Sequence, residues 1–413
     1  MQANIEKWLK IALINLCIVA LLGIILRYKI AFPLPFVSQS NVHHGHSHFA
    51  FSGWISQAIM ILLVYYLHKK GQKNLVKRYG WILIANLIVS YGMLISFLIS
   101  IYTFIPILFS TLCIFVSYIF AVLFWKDLNK LKSNLVSHLW FKAALFFSAI
   151  SSIGPFVLGF LMANHMINQK AMLVSVYYFL HFQYNGWFIF ACMGLFVSKL
   201  EELTGEQKKL KTIFWIFALS CIPCYFLSAL WLPIPLIVYI IIVISAVMQL
   251  LAWIMLIGII RNHFSTLIKE LPGPARWLML LAAISMTIKL ILQVCSTYPS
   301  LSQLAYGFRP IVIGYLHLVF LAIITIFLLG YMISEKLLVL NRTIKTGLVI
   351  FVSGVFINEI LLMTQGVFAL ETETVPHMNE LLFSAAIIMF TGLLLIIIKQ
   401  FPSHFSTRIK TEL

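Results

Sequence analysis

The stretch Asn41-Val-His-His-Gly-His-Ser-His-Phe-Ala-Phe-Ser-Gly-Trp54 places four of the twelve histidines just ahead of a long apolar run that begins at Phe49. Neutral imidazole is the commonest protein ligand for transition metals and haem iron. A histidine cluster at the mouth of an apolar helix is therefore a candidate metal site; the plain alternative is a solvated loop with weak metal affinity. What decides between them is whether other helices bring partners to the same depth.

The composition fixes the class of helix. Hydrophobic residues make up 62% of the 413 and charged residues 10%, against roughly 45–50% and about 25% in soluble domains. Mean hydropathy is +1.01. The chain is expected to be an all-α polytopic membrane protein, one transmembrane domain over residues 1–413 in contact with the lipid bilayer. A net charge of +17 invites a nucleic-acid reading, but the basic residues sit in short loops between apolar runs. That is the positive-inside pattern, so no nucleic-acid partner is expected. Lys7 and Lys10 precede the apolar run Ile11–Leu26, and Arg27-Tyr-Lys follows where a signal peptide would carry a small-residue cleavage site. The expectation is an uncleaved first membrane helix. All six cysteines fall inside apolar runs, which argues against a disulfide framework in the outer loops.

About 20 mainly apolar residues cross a bilayer as a helix. That ruler gives twelve spans, at about 8–26, 47–68, 80–102, 104–125, 140–163, 172–198, 211–231, 233–260, 277–297, 309–334, 344–366 and 378–398. No internal repeat is evident. Of the 29 Lys and Arg residues, all but Arg27, Lys29, Lys170, Arg309 and the intramembrane Lys289 fall on one side of this topology. Both termini are therefore expected to be cytoplasmic, in a bacterial-type inner membrane.

Sidedness makes depth readable. At 1.5 Å per residue, His48, His181 and His317 lie roughly 27–31 Å from the cytoplasmic ends of spans 2, 6 and 10, one layer in the outer leaflet. A lone intramembrane histidine can serve as polar glue between helices. Three at one depth point to a cofactor, since ionisable residues within spans usually face a bundle interior or a cavity. Haem suits them: two imidazoles from separate helices ligate iron axially, and the surrounding Phe49, Phe51, Trp54, Tyr178, Phe182 and Trp187 would wall the macrocycle.

Twelve spans, internal termini and histidines on spans 2, 6 and 10 resemble subunit I of the haem-copper oxidases, a superfamily that includes cytochrome oxidases and nitric-oxide reductases. The resemblance implies a low-spin b-type haem held by His48 (or His46) and His317. It matches His181 to a copper ligand, with copper binding possible. It also implies oxidoreductase chemistry or handling of oxygen or nitric oxide, and a redox partner subunit or cytochrome. The chain departs from the pattern where the family carries His-x-His on span 10; here the tripeptide is Tyr315-Leu-His317. Span 7 carries Cys221-Ile-Pro-Cys224 instead of paired histidines. That Cys-x-x-Cys is either a soft-metal site or two small apolar residues beside a proline.

Lys289 and Glu359 form the other notable pair, each about 20 Å above the nearest basic loop residue. They would form either a buried ion pair or a proton-relay element. They also support a rival reading, a twelve-span secondary transporter with its site near the midplane and two pseudo-repeated halves. In the outer loops, Glu371, Glu373 and His377 would either capture a metal with the histidine-rich segment or remain solvated.

Overall fold

The computed structural model describes every residue except Met1, Tyr102, Lys132, Ser133, Ile167, residues 302–308, Glu371, Thr372, Thr374 and residues 401–413. Among the described residues there is no strand. Helix α1 (Gln2–Ala31) is followed by α2 (Gln39–Phe49), which runs through a π-helical segment, Ala50–Ser56, into α3 (Gln57–Lys69). Then come α4 (Leu75–Ile99), α5 (Phe104–Asn129) and the bent rod α6 (Val136–Ser151) with α7 (Ile153–Ala163). Helix α8 (Gln169–His181) likewise passes through a π segment, Phe182–Phe188, into α9 (Ile189–Thr204). Helix α10 (Gln207–Cys221) bends by 40° into the 3-10 segment Pro223–Ala229, where Pro223 has no N–H to continue the helical ladder. The chain continues through α11 (Leu236–Asn262), the short α12 (Phe264–Glu270) and α13 (Gly273–Cys295). A third π segment, Leu318–Thr325, joins α14 (Arg309–His317) to α15 (Ile326–Ser334), and α16 (Arg342–Leu370) and α17 (Met378–Gln400) complete the chain.

Ten of these helices, or eleven counting the bent α10 pair, are long and apolar enough to cross a membrane. The rod Gln169–Thr204 is not among them, because His181, Gln183 and Asn185 make its centre polar. Around the perimeter, large apolar side chains such as Ile99, Phe104, Leu219, Leu236 and Ile360 stand exposed. Water-soluble monomers rarely show so broad an apolar surface; lipid accounts for it. The protein is a multi-pass membrane protein.

The helices close into a ring. Each rod packs on the next in sequence, α5 meets α6, α11 meets α13, and α1 returns to α17. The three rods that carry π segments project into the middle, where α3 meets α9 and α9 meets α15. They are built alike. His48-Phe-Ala-Phe-Ser-Gly-Trp54 and His181-Phe-Gln-Tyr-Asn-Gly-Trp187 share one pattern, and His317 stands in the same place before its own π segment. The contacts repeat as well. The Trp54 indole donates to Thr325 Oγ1 at 3.0 Å, and the Trp187 indole donates to Ser56 Oγ at 3.3 Å. At equal offset from each histidine, Phe51, Tyr184 and Phe320 converge, with Phe51 and Phe320 centroids 4.7 Å apart and Tyr184 and Phe320 5.9 Å apart. The chain thus contains a threefold repeat of histidine-plus-π rods that reading the sequence end to end does not reveal.

A π turn disturbs the usual ladder of carbonyls, and π segments concentrate at functional positions. Buried amides complete the first one. Asn15 Nδ2 donates to Gly53 O at 2.6 Å, while Asn86 Nδ2 donates to Ser52 O at 3.0 Å and to Gln57 Oε1 at 2.7 Å. Tyr91 in turn donates to Asn15 Oδ1. These buried polar residues hold the irregular backbone in place, as buried carbonyls require partners.

Candidate functional site

The histidines divide among separate neighbourhoods. On α2, His46 turns toward α1, its Nδ1 donating to Val19 O at 3.0 Å, and its ring lies where a Cβ on Gly23 would be 3.5 Å from Cε1. On α14, His317 Nδ1 donates to Ile313 O, one turn back, at 2.8 Å. The two imidazoles lie within electrostatic reach of each other. Both side chains are half-buried. Each has Nδ1 committed to a backbone carbonyl, which fixes the tautomer and leaves Nε2 with its lone pair, free of any partner among the described residues.

Charge surrounds this pair. Arg27 of α1 acts electrostatically on His46, His317 and Glu359. Glu359 is buried on α16, where Asn358 Nδ2 reaches its Oε1 at 3.3 Å. His43 also lies within reach of both rings.

His48 faces elsewhere. Its ring stacks on Phe97 of α4 with centroids 4.6 Å apart, and His44 stacks on the same face. His43 and His44 are the titratable side chains that act on it. The structure therefore brings His46 and His317 together and leaves His48 on another side of its helix, two residues along.

His181 anchors a second chamber with α10, α11 and α13. Its Nε2 donates to Cys221 O at 2.8 Å and lies 3.9 Å from Cys221 Sγ, while its Nδ1 accepts from Asn185 Nδ2 at 3.1 Å. Both ring nitrogens are engaged. Buried Lys289 donates to Gln293 Oε1 at 2.7 Å, and Gln293 Nε2 reaches Gln249 Oε1 at 2.8 Å and Cys224 Sγ at 3.5 Å. Asn185 Oδ1 has no hydrogen-bond partner among the described residues. A buried oxygen of this kind needs a water or a small ligand.

Lys289 and Glu359 are not paired. Lys289 shares its chamber with His181, Cys221 and Cys224, whereas Glu359 answers Arg27. The physical reason is their rods: α13 turns Lys289 toward α10 and α11, and α16 packs on α14 and α17. Of the outer acidic loop, Glu371 lies outside the described residues, Glu373 is exposed, and His377 lies 3.5 Å from Glu380. Among the described residues no three His, Cys, Asp or Glu side chains converge as a preformed metal site.

Sequence reading missed Arg27 as a partner of the site and the polar ring Gln249–Gln293–Lys289 as a unit. Arg27 was visible as one of the few basic residues off the basic end. The polar ring is spread over two helices, and only its packing joins it. No protein-family model matches the chain, and no curated protein matches it either.

Proposed function

We propose that the chain is a haem-binding membrane protein of haem-copper-oxidase-like build, with twelve spans and both termini cytoplasmic. In this reading His46 and His317 would hold a b-type haem. One observation carries it. Two half-buried imidazoles from separate helices lie within electrostatic reach of each other, each held through Nδ1 on a carbonyl and each with no Nε2 partner among the described residues. That is the state in which imidazole ligates a metal. The bound haem would supply one-electron transfer or binding of a diatomic gas. Val19 and Ile313 carbonyls hold the ligating tautomers, Gly23 leaves room for the His46 ring, and Arg27 offers a cation to the acidic substituents of the macrocycle. The apolar perimeter keeps water from the site. The threefold arrangement of the π-bearing rods fits this reading better than a transporter made of two pseudo-repeated halves.

The His181 chamber is a second compartment for a small ligand or for copper. Copper there requires His181 to release Cys221 O or Asn185, because both its nitrogens are engaged in the structure.

The test is optical. Protein purified from haem-replete cells is expected to show a reduced-state b-type spectrum, lost in His46→Ala and in His317→Ala and kept in His48→Ala. A colourless wild-type preparation overturns the proposal. Loss of the spectrum in His48→Ala with retention in His46→Ala moves the ligand to His48.

A further inference from the structure

At the opposite, basic end of the bundle, a cavity of about 640 Å³ opens between the α3–α4 turn and the α5–α6 turn. Lys70, Lys73, Arg78 and Lys130 line it, with Asp127 as the one acidic side chain among the lining residues. Asp127 is 1% exposed and organises the wall. It binds Arg78 Nε at 3.0 Å and Lys130 Nζ at 2.8 Å, and accepts from the Tyr79 hydroxyl at 2.8 Å. The Arg78 side chain is exposed beyond this Nε contact, so its guanidinium also faces the cavity. Lys70 meets Glu202, and Lys73 stands exposed beside the opening. The cations thus exceed the acidic groups that hold them.

Two features set this cavity at headgroup level. Trp81, three residues on from Arg78 on α4, and Trp125, two residues before Asp127 on α5, are exposed, and Lys142 lies 5.4 Å over the Trp125 ring. Tryptophan collects at the membrane–water boundary. The cavity also has an apolar side, at Leu75, Leu131 and Leu135. A wall of cations beside leucines, at tryptophan depth, matches a phosphodiester joined to acyl chains. Basic pockets between membrane helices bind anionic lipid headgroups in this way, and guanidinium recognises phosphate through paired N–H donors.

We infer that this cavity binds the phosphodiester headgroup of an anionic phospholipid, with Arg78, Lys73 and Lys130 as its ligands and Asp127 as the residue that positions Arg78 and Lys130.

The full-length protein is tested by native mass spectrometry after mixing with phosphatidylglycerol or phosphatidylcholine in detergent. Wild type is expected to retain phosphatidylglycerol preferentially. Lys73→Gln with Lys130→Gln removes two cations and is expected to weaken that retention about 30-fold, at about one interfacial charge's worth per lysine. Lys73→Glu alone leaves the Asp127 contacts intact and should also weaken it, with an unchanged melting temperature as evidence of folding. Lys170→Gln, at the other end of the bundle, should have no effect. Equal retention of the two lipids, undiminished retention by both folded variants, or displacement of the lipid by excess inorganic phosphate each overturns the proposal.

Discussion

Trp54 and Thr325, far apart in sequence, are joined by a 3.0 Å hydrogen bond from the indole N–H to the hydroxyl, deep in the bundle. The bond links the first π segment to the third, as the Trp187–Ser56 bond links the second to the first. At the corresponding offsets, the remaining link falls on Ile323 and Ile189, both apolar. Two polar latches therefore fix the register of three irregular rods, and with it the placement of the helices that carry His46 and His317.

Replacing Thr325 by Val keeps the shape and leaves the Trp54 N–H buried without a partner, at a cost of about 1–3 kcal/mol. Trp54→Phe is expected to destabilise as well, through the lost bond and the smaller ring. The double variant should lose less than the sum, because residues in direct contact couple. Thermal unfolding of the four proteins in one detergent measures this. Simple additivity would mean that the latch contributes nothing to stability.

Gly392 and Gly347 let α16 and α17 meet backbone to backbone. A Cβ at Gly392 would come within 2.4 Å of Phe351 N and 2.7 Å of Gly347 O. Backbone cannot yield as a flexible side chain can, so Gly392→Ala should push the helices apart and cost about 1–3 kcal/mol. Gly258 on α11 has nothing within 4 Å of its Cβ position, and Gly258→Ala should leave the melting temperature unchanged or slightly higher. Equal effects at the two sites would contradict the close packing.

The membrane class was legible from composition because lipid imposes it residue by residue: every rod that faces acyl chains must be apolar along its length. The histidine layer was legible for the same reason, since histidine in such a run stands out. Which histidine serves which neighbourhood was not. His46 and His48 are two residues apart on one helix, so they point about 200° apart around its axis, and only the packing of α1 and α4 says which side meets His317. The separation of Lys289 from Glu359 was hidden likewise: similar depth says nothing about position around a ring. The repeated His-Phe-x-aromatic-x-Gly-Trp pattern, by contrast, was present in the chain at His48 and His181 and needed only a search at long spacing.

At the basic end, Glu335 binds Lys199, Lys69 at 3.2 Å and the Tyr65 hydroxyl at 3.2 Å. Burial opposes its ionisation, but Lys199 and Lys69 outweigh that and hold the carboxyl below the usual carboxylate range. A depressed folded-state value means that Glu335 stabilises the fold above the ordinary carboxylate pKa of about 4.3, and that this contribution fades as pH falls through the lower, folded value. Glu335→Gln should therefore melt below wild type at neutral pH, and the gap should close in acid. A gap independent of pH would show that the carboxylate charge is not what the site uses.

The separation of Lys289 from Glu359 is open to a cycle of substitutions. Lys289 lies with Gln293 and the two thiols, and Glu359 lies in the field of Arg27. The stability effects of Lys289→Met and Glu359→Gln should then add to within about 0.5 kcal/mol, as distant sites do. Arg27→Met and Glu359→Gln should not add. Arg27 and Glu359 interact electrostatically, so the double variant should depart from the sum of the two single losses. The same pair of cycles separates the two functional readings. A transporter that couples Lys289 to Glu359 needs strong non-additivity between those residues, in stability or in transport. Additivity there, with coupling between Arg27 and Glu359, keeps Glu359 with the His46–His317 neighbourhood and Lys289 with the His181 chamber.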